Sequence, residues 1–288
     1  MQTLQTEDGL PLHLRHWALA AAAGSAPAAR GSVLIVHGLG EHIGRYAHVA
    51  AHLNANAWHV IGYDQRGHGA SGGARGAMAT PDSLLDDLAR VIDALRQARP
   101  GPLVLLGHSM GGLIAGRFVA EGLAAQPAPW WRPVEALVMS SPALDPGMNA
   151  FQKGLLALLG PLAPNLAVNN GLNPAWVSRD PAVVAAYVED PLVHDRVTPR
   201  LARFIVDGGE VVRAAAPRWT LPTALLYAGA DRCVAPRGSD AFAAAAPRDV
   251  VFSKRYDGFS HEIFNEPEQR EVLATLSRWL VPHGALNS

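Results

Sequence analysis

Short apolar runs alternate with longer amphipathic segments along most of the chain. The runs at residues 32–37 and 103–106 are too short for buried helices and are almost entirely apolar, which is typical of parallel strands buried on both faces. The segment Pro81–Arg99 instead repeats its large apolar residues at helical spacing, which predicts an amphipathic helix. Because the two patterns alternate with short connections, the sequence predicts an α/β protein with a mostly parallel sheet and helices on both faces.

An antiparallel hairpin is predicted to open the chain, up to about Ala18, around a turn at Asp8–Gly9. Further strands are predicted at residues 32–37, 58–64, 103–106, 134–140, 223–229 and 250–256, and helices at residues 46–56, 81–99, 113–120 and 267–280. Together with the hairpin, these strands make an eight-stranded sheet.

The alternation stops at Ser141–Pro142 and resumes at about Thr223. Proline- and asparagine-rich turns and short apolar helices occupy the interval. This predicts a helical cap (lid) over residues 142–215, inserted after the sixth strand into a core of residues 1–141 and 216–288. One predicted cap helix has few polar positions, and its apolar residues are Phe151, Leu155, Leu156, Leu158, Leu159 and Leu162. Such a helix can admit an acyl chain or rest shallowly on a membrane, and it can equally pack on the core or on another subunit.

Composition excludes several classes of protein. With 288 residues, 49% of them hydrophobic and 17% charged, the chain is long enough for a large core and is not disordered. A formal net charge of −1 argues against a nucleic-acid-binding surface. The single cysteine, Cys233, cannot form an internal disulfide, so a cytoplasmic location is expected, with any membrane contact peripheral.

No apolar run approaches the roughly 18 residues that span a bilayer. The alanine-rich segment Trp17–Ala29 resembles part of a signal peptide. Acidic residues and a strand-like alternation precede it, however, where a signal peptide has a basic segment. We therefore interpret it as a surface loop.

The most informative motif lies in the segment Leu103–Gly112. Its apolar run ends in Gly107-His108-Ser109-Met110-Gly111, a G-x-S-x-G sequence that leads into a predicted helix. This is the pattern of a nucleophile elbow, in which a strained strand-to-helix turn exposes a serine hydroxyl. The glycines are needed because the strand and helix backbones come too close for Cβ atoms. The pentapeptide alone is a weak signal, so its meaning depends on the partners of the serine.

A serine nucleophile needs a base, usually a histidine that a carboxylate orients. In α/β-hydrolases the order along the chain is Ser, Asp or Glu, then His, each after a strand. Asp231 directly follows the strand at residues 223–229, and His261 follows the last predicted strand. We therefore expect Ser109, Asp231 and His261 to form a catalytic triad. Taken singly, Asp231 could instead form a turn and His261 a surface loop; a zinc site is disfavoured because the second histidine of H-E-x-x-H is missing.

Acyl transfer also needs hydrogen-bond donors for the developing oxyanion. The expected donors are the backbone N–H groups of Met110, which follows the nucleophile, and of Leu39, in the glycine-rich loop after the third strand. This chemistry needs no cofactor and no metal.

The linked motifs resemble the monoacylglycerol lipase and lysophospholipase branch of the α/β-hydrolases, which is similar to serine aminopeptidase S33. The resemblance runs from about Thr6 to Leu280, and its motifs are His37–His42 with Arg45-Tyr46, Tyr63–Gly72, Gly107–Gly112, Ser140–Leu144, Asp190–Leu192 and Gly229–Arg232. It implies the α/β-hydrolase fold, a cap over the active site, and a triad at the positions already singled out.

In lipases of this branch a polar pocket holds the glycerol head. The resemblance implies that Arg45, His108 and Tyr187 line such a substrate-binding pocket here. Two positions differ from the animal enzymes: Val183 stands where an acidic residue contacts glycerol, and Phe264 replaces a histidine. Glycerol as the leaving group is therefore left open.

The sequence thus predicts a serine hydrolase that cleaves carboxylic esters of lipid-like substrates, of monoacylglycerol or lysophospholipid type, through an acyl-enzyme. The expected partner is a small ester with an acyl chain; nucleic acid is not expected, and the oligomeric state is left open. The alternatives are a short-chain carboxylesterase, a C–C-bond hydrolase, or an aminopeptidase using Asp180, Glu189 or Asp190 to hold an ammonium group. A non-enzymatic binding protein is disfavoured because no member of the triad is missing.

Overall fold

The computed structural model describes residues 2–19 and 29–284. Its strands are β1 (Gln2–Gln5), β2 (Pro11–Trp17), β3 (Gly31–Val36), β4 (Trp58–Tyr63), β5 (Leu103–His108), β6 (Ala136–Ser140), β7 (Val168–Asn169), β8 (Arg196–Val197), β9 (Thr223–Ala228) and β10 (Val251–Tyr256). Its α-helices are α1 (Ala47–Ala55), α2 (Ser83–Ala98), α3 (Met110–Glu121), α4 (Ala150–Leu159), α5 (Pro181–Glu189), α6 (Pro199–Ala215), α7 (Pro236–Ala245) and α8 (Gln269–Leu280). Short 3-10 helices lie at Ile43–Tyr46, Pro174–Trp176, Ala216–Arg218, Ile263–Asn265 and Val281–His283.

The main sheet has eight strands in the order β1-β2-β4-β3-β5-β6-β9-β10, and β7 pairs with β8 separately. The predicted hairpin is confirmed, since β1 and β2 are antiparallel, and β2 is also antiparallel to β4. The other neighbours in the main sheet are parallel. The eight-stranded, mostly parallel sheet that the sequence predicts is therefore confirmed.

Parallel strands point the same way, so the carboxyl ends of β3, β5, β9 and β10 meet at one edge of the sheet. The glycine-rich loop leaves this edge after β3, and Ser109 follows β5. Asp231 leaves the same edge after β9, and His261 follows β10. The topology thus brings four distant parts of the chain to one place.

Apolar cores lie on both faces of the sheet. Helices α1 and α8 cover one face, with Leu53 and Leu276 buried in its core. Helices α2, α3, α6 and α7 cover the other, with Leu88 and Phe118 in theirs. Because β5 lies between the two, every residue of this strand is buried, as its apolar run predicts.

Helix α6, of 17 residues, was not predicted from the sequence. The pair Gly208-Gly209 interrupts its pattern and lowers its intrinsic helix propensity. Both glycines mark close approaches: a Cβ on Gly208 would lie 3.4 Å from Leu113 of α3, and one on Gly209 would overlap the carbonyl oxygen of Leu144. Helix α6 therefore packs tightly on the helix layer of the sheet.

The segment between residues 145 and 197 has a different character. Apart from Val177 and Ser178, its described side chains are at least partly exposed. Several large apolar residues of α4 and of the turn after it are strongly exposed, with Phe151 at 78%, Leu158 at 70% and Leu162 at 79%. In this structure they do not pack on the core.

Within the described ranges, no helix has both the length and the apolar character needed to cross a membrane. The predicted alanine-rich surface loop begins at the end of β2, and its residues 20–28 lie outside the described part of the chain.

Candidate active site

Ser109 occupies the turn between β5 and α3, with φ 54° and ψ −121°. L-residues rarely adopt this conformation, which costs of order 1–3 kcal/mol and persists only where the surroundings enforce it. A Cβ on Gly107 would overlap the carbonyl oxygen of Gly111, and one on Gly111 would overlap that of Val36. The close packing that the glycine motif predicts is therefore present on both sides of the serine.

Three side chains from distant parts of the chain form a continuous hydrogen-bonded chain. The Ser109 hydroxyl lies 2.8 Å from His261 Nε2, and His261 Nδ1 lies 2.6 Å from Asp231 Oδ2. The other oxygen of Asp231 accepts hydrogen bonds from the backbone N–H groups of Cys233 and Val234, at 2.8 and 3.0 Å. This fixed carboxylate keeps a proton on Nδ1, which leaves Nε2 free to accept one from the serine.

The surroundings of His261 favour its protonated form. Burial alone would lower the pKa of His261, but the charge and hydrogen bond of the Asp231 carboxylate, together with the charges of Glu262 and Glu41, outweigh burial. The pKa of His261 therefore lies above its usual value. A carboxylate that stabilises an imidazolium is what a general base needs when it takes a proton from serine.

The backbone N–H groups of Leu39 and Met110 face no hydrogen-bond acceptor within the described part of the chain. Both residues line a cavity that also reaches Ser109. Met110 is the first residue of α3, where the helix dipole adds a partial positive charge. Two unpaired donors beside a serine can stabilise an oxyanion.

Two buried carboxylates that the sequence analysis did not single out flank the site, and both Glu41 and Glu262 line the main cavity. Arg45 lies between them, with Nη1 2.7 Å from Glu41 and 2.6 Å from Glu262. Burial would raise the pKa of Glu41, but the charge of Arg45, together with the other neighbours of this carboxylate and the hydrogen bond from Tyr46, outweighs burial and holds this pKa at about 2. Arg45 itself is not among the residues that line the cavity, so it acts on the site through residues that do, chiefly these two carboxylates.

Two cavities meet at Ser109. The main cavity, of about 220 Å³, carries polar side chains that include those of His108, Tyr187 and His194, beside apolar ones such as Leu172 and Val188. The resemblance placed His108 and Tyr187 in a pocket of this kind. The second cavity, of about 150 Å³, is mostly apolar, and its residues are Leu39, Ser109, Met110, Ala143, Pro146, Met148, Asn170, Leu172, Val197, Ala202, Ile205, Cys233 and Val234.

The cap carboxylates considered for an aminopeptidase line neither cavity. Asp180 accepts a hydrogen bond from the Ala182 N–H at the start of α5, and Glu189 is exposed. Asp190 lies 2.8 Å from His42 Nε2. Two of the three carboxylates thus have partners within the protein and the third is exposed, so none of them is placed to hold a substrate ammonium group beside Ser109.

Among the described residues, Asp231, Cys233 and His261 offer three metal-ligand atoms within 4.8 Å of one another. Two of these side chains are already joined by their 2.6 Å hydrogen bond. Burial, and after it the Asp231 charge, raises the pKa of the Cys233 thiol, whereas a metal ligand must be a thiolate. The cluster therefore fits a serine–histidine–aspartate site better than a metal site.

The chain is similar to known proteins over most of its length. A family model described as "Serine aminopeptidase, S33" matches residues 27–268. The chain is 37% identical over 258 residues to a monoacylglycerol lipase of Mycolicibacterium smegmatis, which covers 88% of this chain and 89% of that protein. It is 29% identical over 248 residues to phospholipase YtpA of Bacillus subtilis, with 83% and 91% covered.

Among solved structures, a monoacylglycerol lipase of Paleococcus ferrophilus superposes with a TM-score of 0.79 at 33% identity, covering 94% of this chain and 99% of that one. The sequence matches and the structural match extend over most of the fold, including both sides of the segment between β6 and α6. The chain therefore belongs to the serine aminopeptidase S33 family and has the α/β-hydrolase fold.

Proposed function

We propose that this protein is a serine hydrolase of lipid-like carboxylic esters, with Ser109 as nucleophile, His261 as base and Asp231 as the carboxylate that orients the base. The observation that carries the proposal is the hydrogen-bonded chain from Ser109 to Asp231 where the two cavities meet. His261 takes the serine proton during attack on the ester carbonyl and gives it to the leaving alcohol. Water activated by His261 then hydrolyses the acyl-enzyme and releases a carboxylic acid.

The backbone N–H groups of Leu39 and Met110 bind the oxyanion that forms during each attack. Donors fixed in place before the reaction stabilise charge without reorganising, and one such donor typically contributes roughly 3 kcal/mol to transition-state stabilisation. Their lack of other acceptors supports this role.

The two cavities suit the two halves of a lipid ester. The apolar cavity, with Met148, Leu172 and Ile205, takes the acyl chain, because burying a hydrocarbon chain there removes apolar surface from water. The main cavity, with the polar side chains of His108 and Tyr187, takes the alcohol. Residues 142–215 form the cap, which contributes side chains to both cavities.

A neutral polyol such as glycerol is the leaving group that fits best. Among the described residues, no lysine or arginine lines the main cavity, whereas Glu41, Asp195 and Glu262 do. An anionic phosphate would therefore meet carboxylates without a free cation. Monoacylglycerols are the first substrate class, and the relatives named monoacylglycerol lipase support it. Zwitterionic lysophospholipids are the second, supported by the similarity to a phospholipase.

We also propose that α4 contacts a lipid surface. Its exposed apolar residues carry this proposal, because burying them in the acyl boundary of a membrane would remove them from water. The later part of the cap is fixed instead: the His194 N–H donates to the Gly40 carbonyl at 2.8 Å, and Asp190 binds His42. The half of the cap that carries α4 is thus the half whose exposed apolar side chains can meet a membrane.

A rate series tests the substrate class. It compares 1-acylglycerols of increasing chain length, lysophosphatidylcholine, lysophosphatidic acid, p-nitrophenyl esters and leucine p-nitroanilide. We expect long-chain 1-acylglycerols to have the highest kcat/KM and lysophosphatidic acid the lowest among the lipids. A preference confined to acetyl and butyryl esters would make the protein a short-chain esterase, and faster cleavage of the anilide would make it an aminopeptidase.

A further inference from the structure

A buried ion network joins the two loops that hold the proposed catalytic groups. The oxyanion loop (residues 37–42) carries Glu41, and the base loop (residues 257–265) carries Glu262. Arg45 binds both carboxylates: Nη1 lies 2.7 Å from Glu41 Oε2 and 2.6 Å from Glu262 Oε1, and Nη2 lies 2.7 Å from Glu262 Oε2. All three side chains are nearly inaccessible, with exposures of 11% for Arg45, 4% for Glu41 and 6% for Glu262.

At the oxyanion loop, Glu41 fixes the residue before the proposed donor Leu39. Its Oε1 accepts hydrogen bonds from the Gly38 N–H and from the Tyr46 hydroxyl, both at 2.6 Å. A Cβ on Gly38 would lie 2.9 Å from this oxygen and 3.1 Å from the Cβ of Ser109. The carboxylate therefore holds the loop backbone directly against the nucleophile.

At the base loop, Glu262 is the residue after His261, so its position limits where the imidazole can lie. Its carboxylate accepts a 2.8 Å hydrogen bond from Asn265 in addition to the two from Arg45. Its backbone N–H donates to the Val177 carbonyl of the cap at 2.8 Å. The base loop is thus held from its side chain and from its backbone.

The guanidinium also touches the cap, since it lies 4.8 Å from the centroid of the Tyr187 ring. A single lysine could not do the same, because only the planar guanidinium offers paired donors and a face that stacks on an aromatic ring. Buried ion networks of this kind often stabilise a fold no more than apolar residues of the same volume would. What the network does supply is a fixed geometry between the loops.

We propose that Arg45 is a positioning residue, which holds the oxyanion loop and the base loop at a fixed distance from each other across Ser109 through Glu41 and Glu262. The inference rests on the proposed function, because it concerns the arrangement of the same groups. A substrate-binding role for Arg45 would affect only esters whose alcohol it contacts. A positioning role affects the hydrolysis of every ester, whatever its alcohol.

The test compares Arg45→Gln with the control Arg117→Gln on 1-oleoylglycerol and p-nitrophenyl butyrate. Arg117 likewise pairs with a glutamate four residues away in the chain, Glu121, at 2.6 Å, and lies over the ring of Trp130. Unlike the partners of Arg45, these two residues line neither cavity. We expect Arg45→Gln to lower kcat about 100-fold on both substrates with little change in KM, since small displacements of catalytic groups have effects of that size. We expect Arg117→Gln to retain the wild-type kcat.

A second variant, Glu262→Gln, keeps the shape of the network and removes one charge, so it remains informative if Arg45→Gln does not fold. The groups that face His261 are Asp231, Glu262, Glu41, His108, Cys233 and Ser109. The amide NH₂ in Glu262→Gln cannot accept from Arg45, so kcat on both esters should fall. Because Glu262 and Glu41 both raise the pKa of His261, the acid limb of kcat/KM should also move to lower pH. Thermal unfolding of each variant, followed by circular dichroism, checks that it is folded.

A loss confined to KM on 1-oleoylglycerol, with p-nitrophenyl butyrate unaffected, would overturn the inference and make Arg45 a contact for glycerol. An unchanged kcat in folded Arg45→Gln, or in folded Glu262→Gln, would overturn it as well. Failure of the proposed function is a different result, because the wild-type protein would then hydrolyse neither ester.

Discussion

The imidazole rings of His108 and His261 lie side by side, with centroids 4.8 Å apart, and their pKa values move in opposite directions. Burial, and after it the neighbouring His261, lowers the pKa of His108 to about 4. At His261 the neighbouring carboxylates, with Asp231 contributing most, together outweigh burial and raise its pKa. One ring is therefore neutral at physiological pH, and the other is able to take a proton.

This difference predicts the pH profile. The kcat/KM for a p-nitrophenyl ester should fall as the pH drops through a single midpoint above 6.5, because protonated His261 cannot accept the serine proton. His108 titrates too low to add a second step, so His108→Gln should leave the midpoint in place. A midpoint below 6.5 in the wild-type protein, or a step that disappears in His108→Gln, would contradict this assignment.

Asp231→Asn tests the orienting carboxylate. The amide can still accept the N–H groups of Cys233 and Val234, but its NH₂ then faces His261 Nδ1 and drives the ring proton to Nε2, which can no longer accept from Ser109. We expect kcat to fall about 10⁴-fold while the protein stays folded. Asp240→Asn, at a partly exposed aspartate that pairs with Tyr227 and Arg255, is the control and should retain activity. Equal activity of the two variants would refute the role of Asp231.

The strands, the elbow and the three triad candidates could be predicted from the sequence because each has a local signal. Buried strands are short apolar runs, Ser109 lies in a glycine motif, and Asp231 and His261 follow strand ends. Glu41 and Glu262 have no such signal, since isolated glutamates are usually exposed. Their common partner Arg45 is 217 positions from Glu262 in the chain. The only indication in the sequence that they belong to the site was their position: Glu41 lies within a motif loop, and Glu262 directly follows His261.

Helix α6 was not predicted because its helical pattern is interrupted. Its sequence signal was weakened by Gly208-Gly209, which serve close packing against Leu113 and Leu144 rather than helix formation. The sequence also could not predict that apolar residues of α4 are exposed, because an apolar pattern does not reveal what covers it. Both features depend on how layers of the fold meet, which a local pattern does not record.

Glycine packing at the elbow can be tested by stability. Gly111→Ala would place a methyl group against the carbonyl oxygen of Val36, and we expect it to lower the free energy of unfolding by roughly 3 kcal/mol. The control Gly154→Ala lies in α4 with nothing within 4 Å of its Cβ, and should raise that free energy by about 0.5–1 kcal/mol. Denaturant unfolding measures both, and similar effects of the two substitutions would contradict the packing argument.

The exposed surface of α4 and its following turn can be tested by replacing Phe151, Leu158 and Leu162 with serine. These side chains do not contact the core, so stability and the kcat for p-nitrophenyl butyrate should be unchanged. Cosedimentation with phosphatidylcholine–phosphatidylglycerol vesicles, and turnover of 1-oleoylglycerol presented in them, should both decrease. The membrane contact would be wrong if vesicle binding were the same as in the wild-type protein.

The most direct test of the central claim is covalent labelling of Ser109 by a fluorophosphonate. Ser277 supplies a matched control, because its hydroxyl lies 2.6 Å from His52 in a second serine–histidine pair, outside the cavities. We expect labelling and ester hydrolysis to be lost in Ser109→Ala and retained in Ser277→Ala, with the adduct on Ser109 by mass spectrometry. Labelling that persists in folded Ser109→Ala, or an adduct on another residue, would contradict the assignment of Ser109 as the nucleophile.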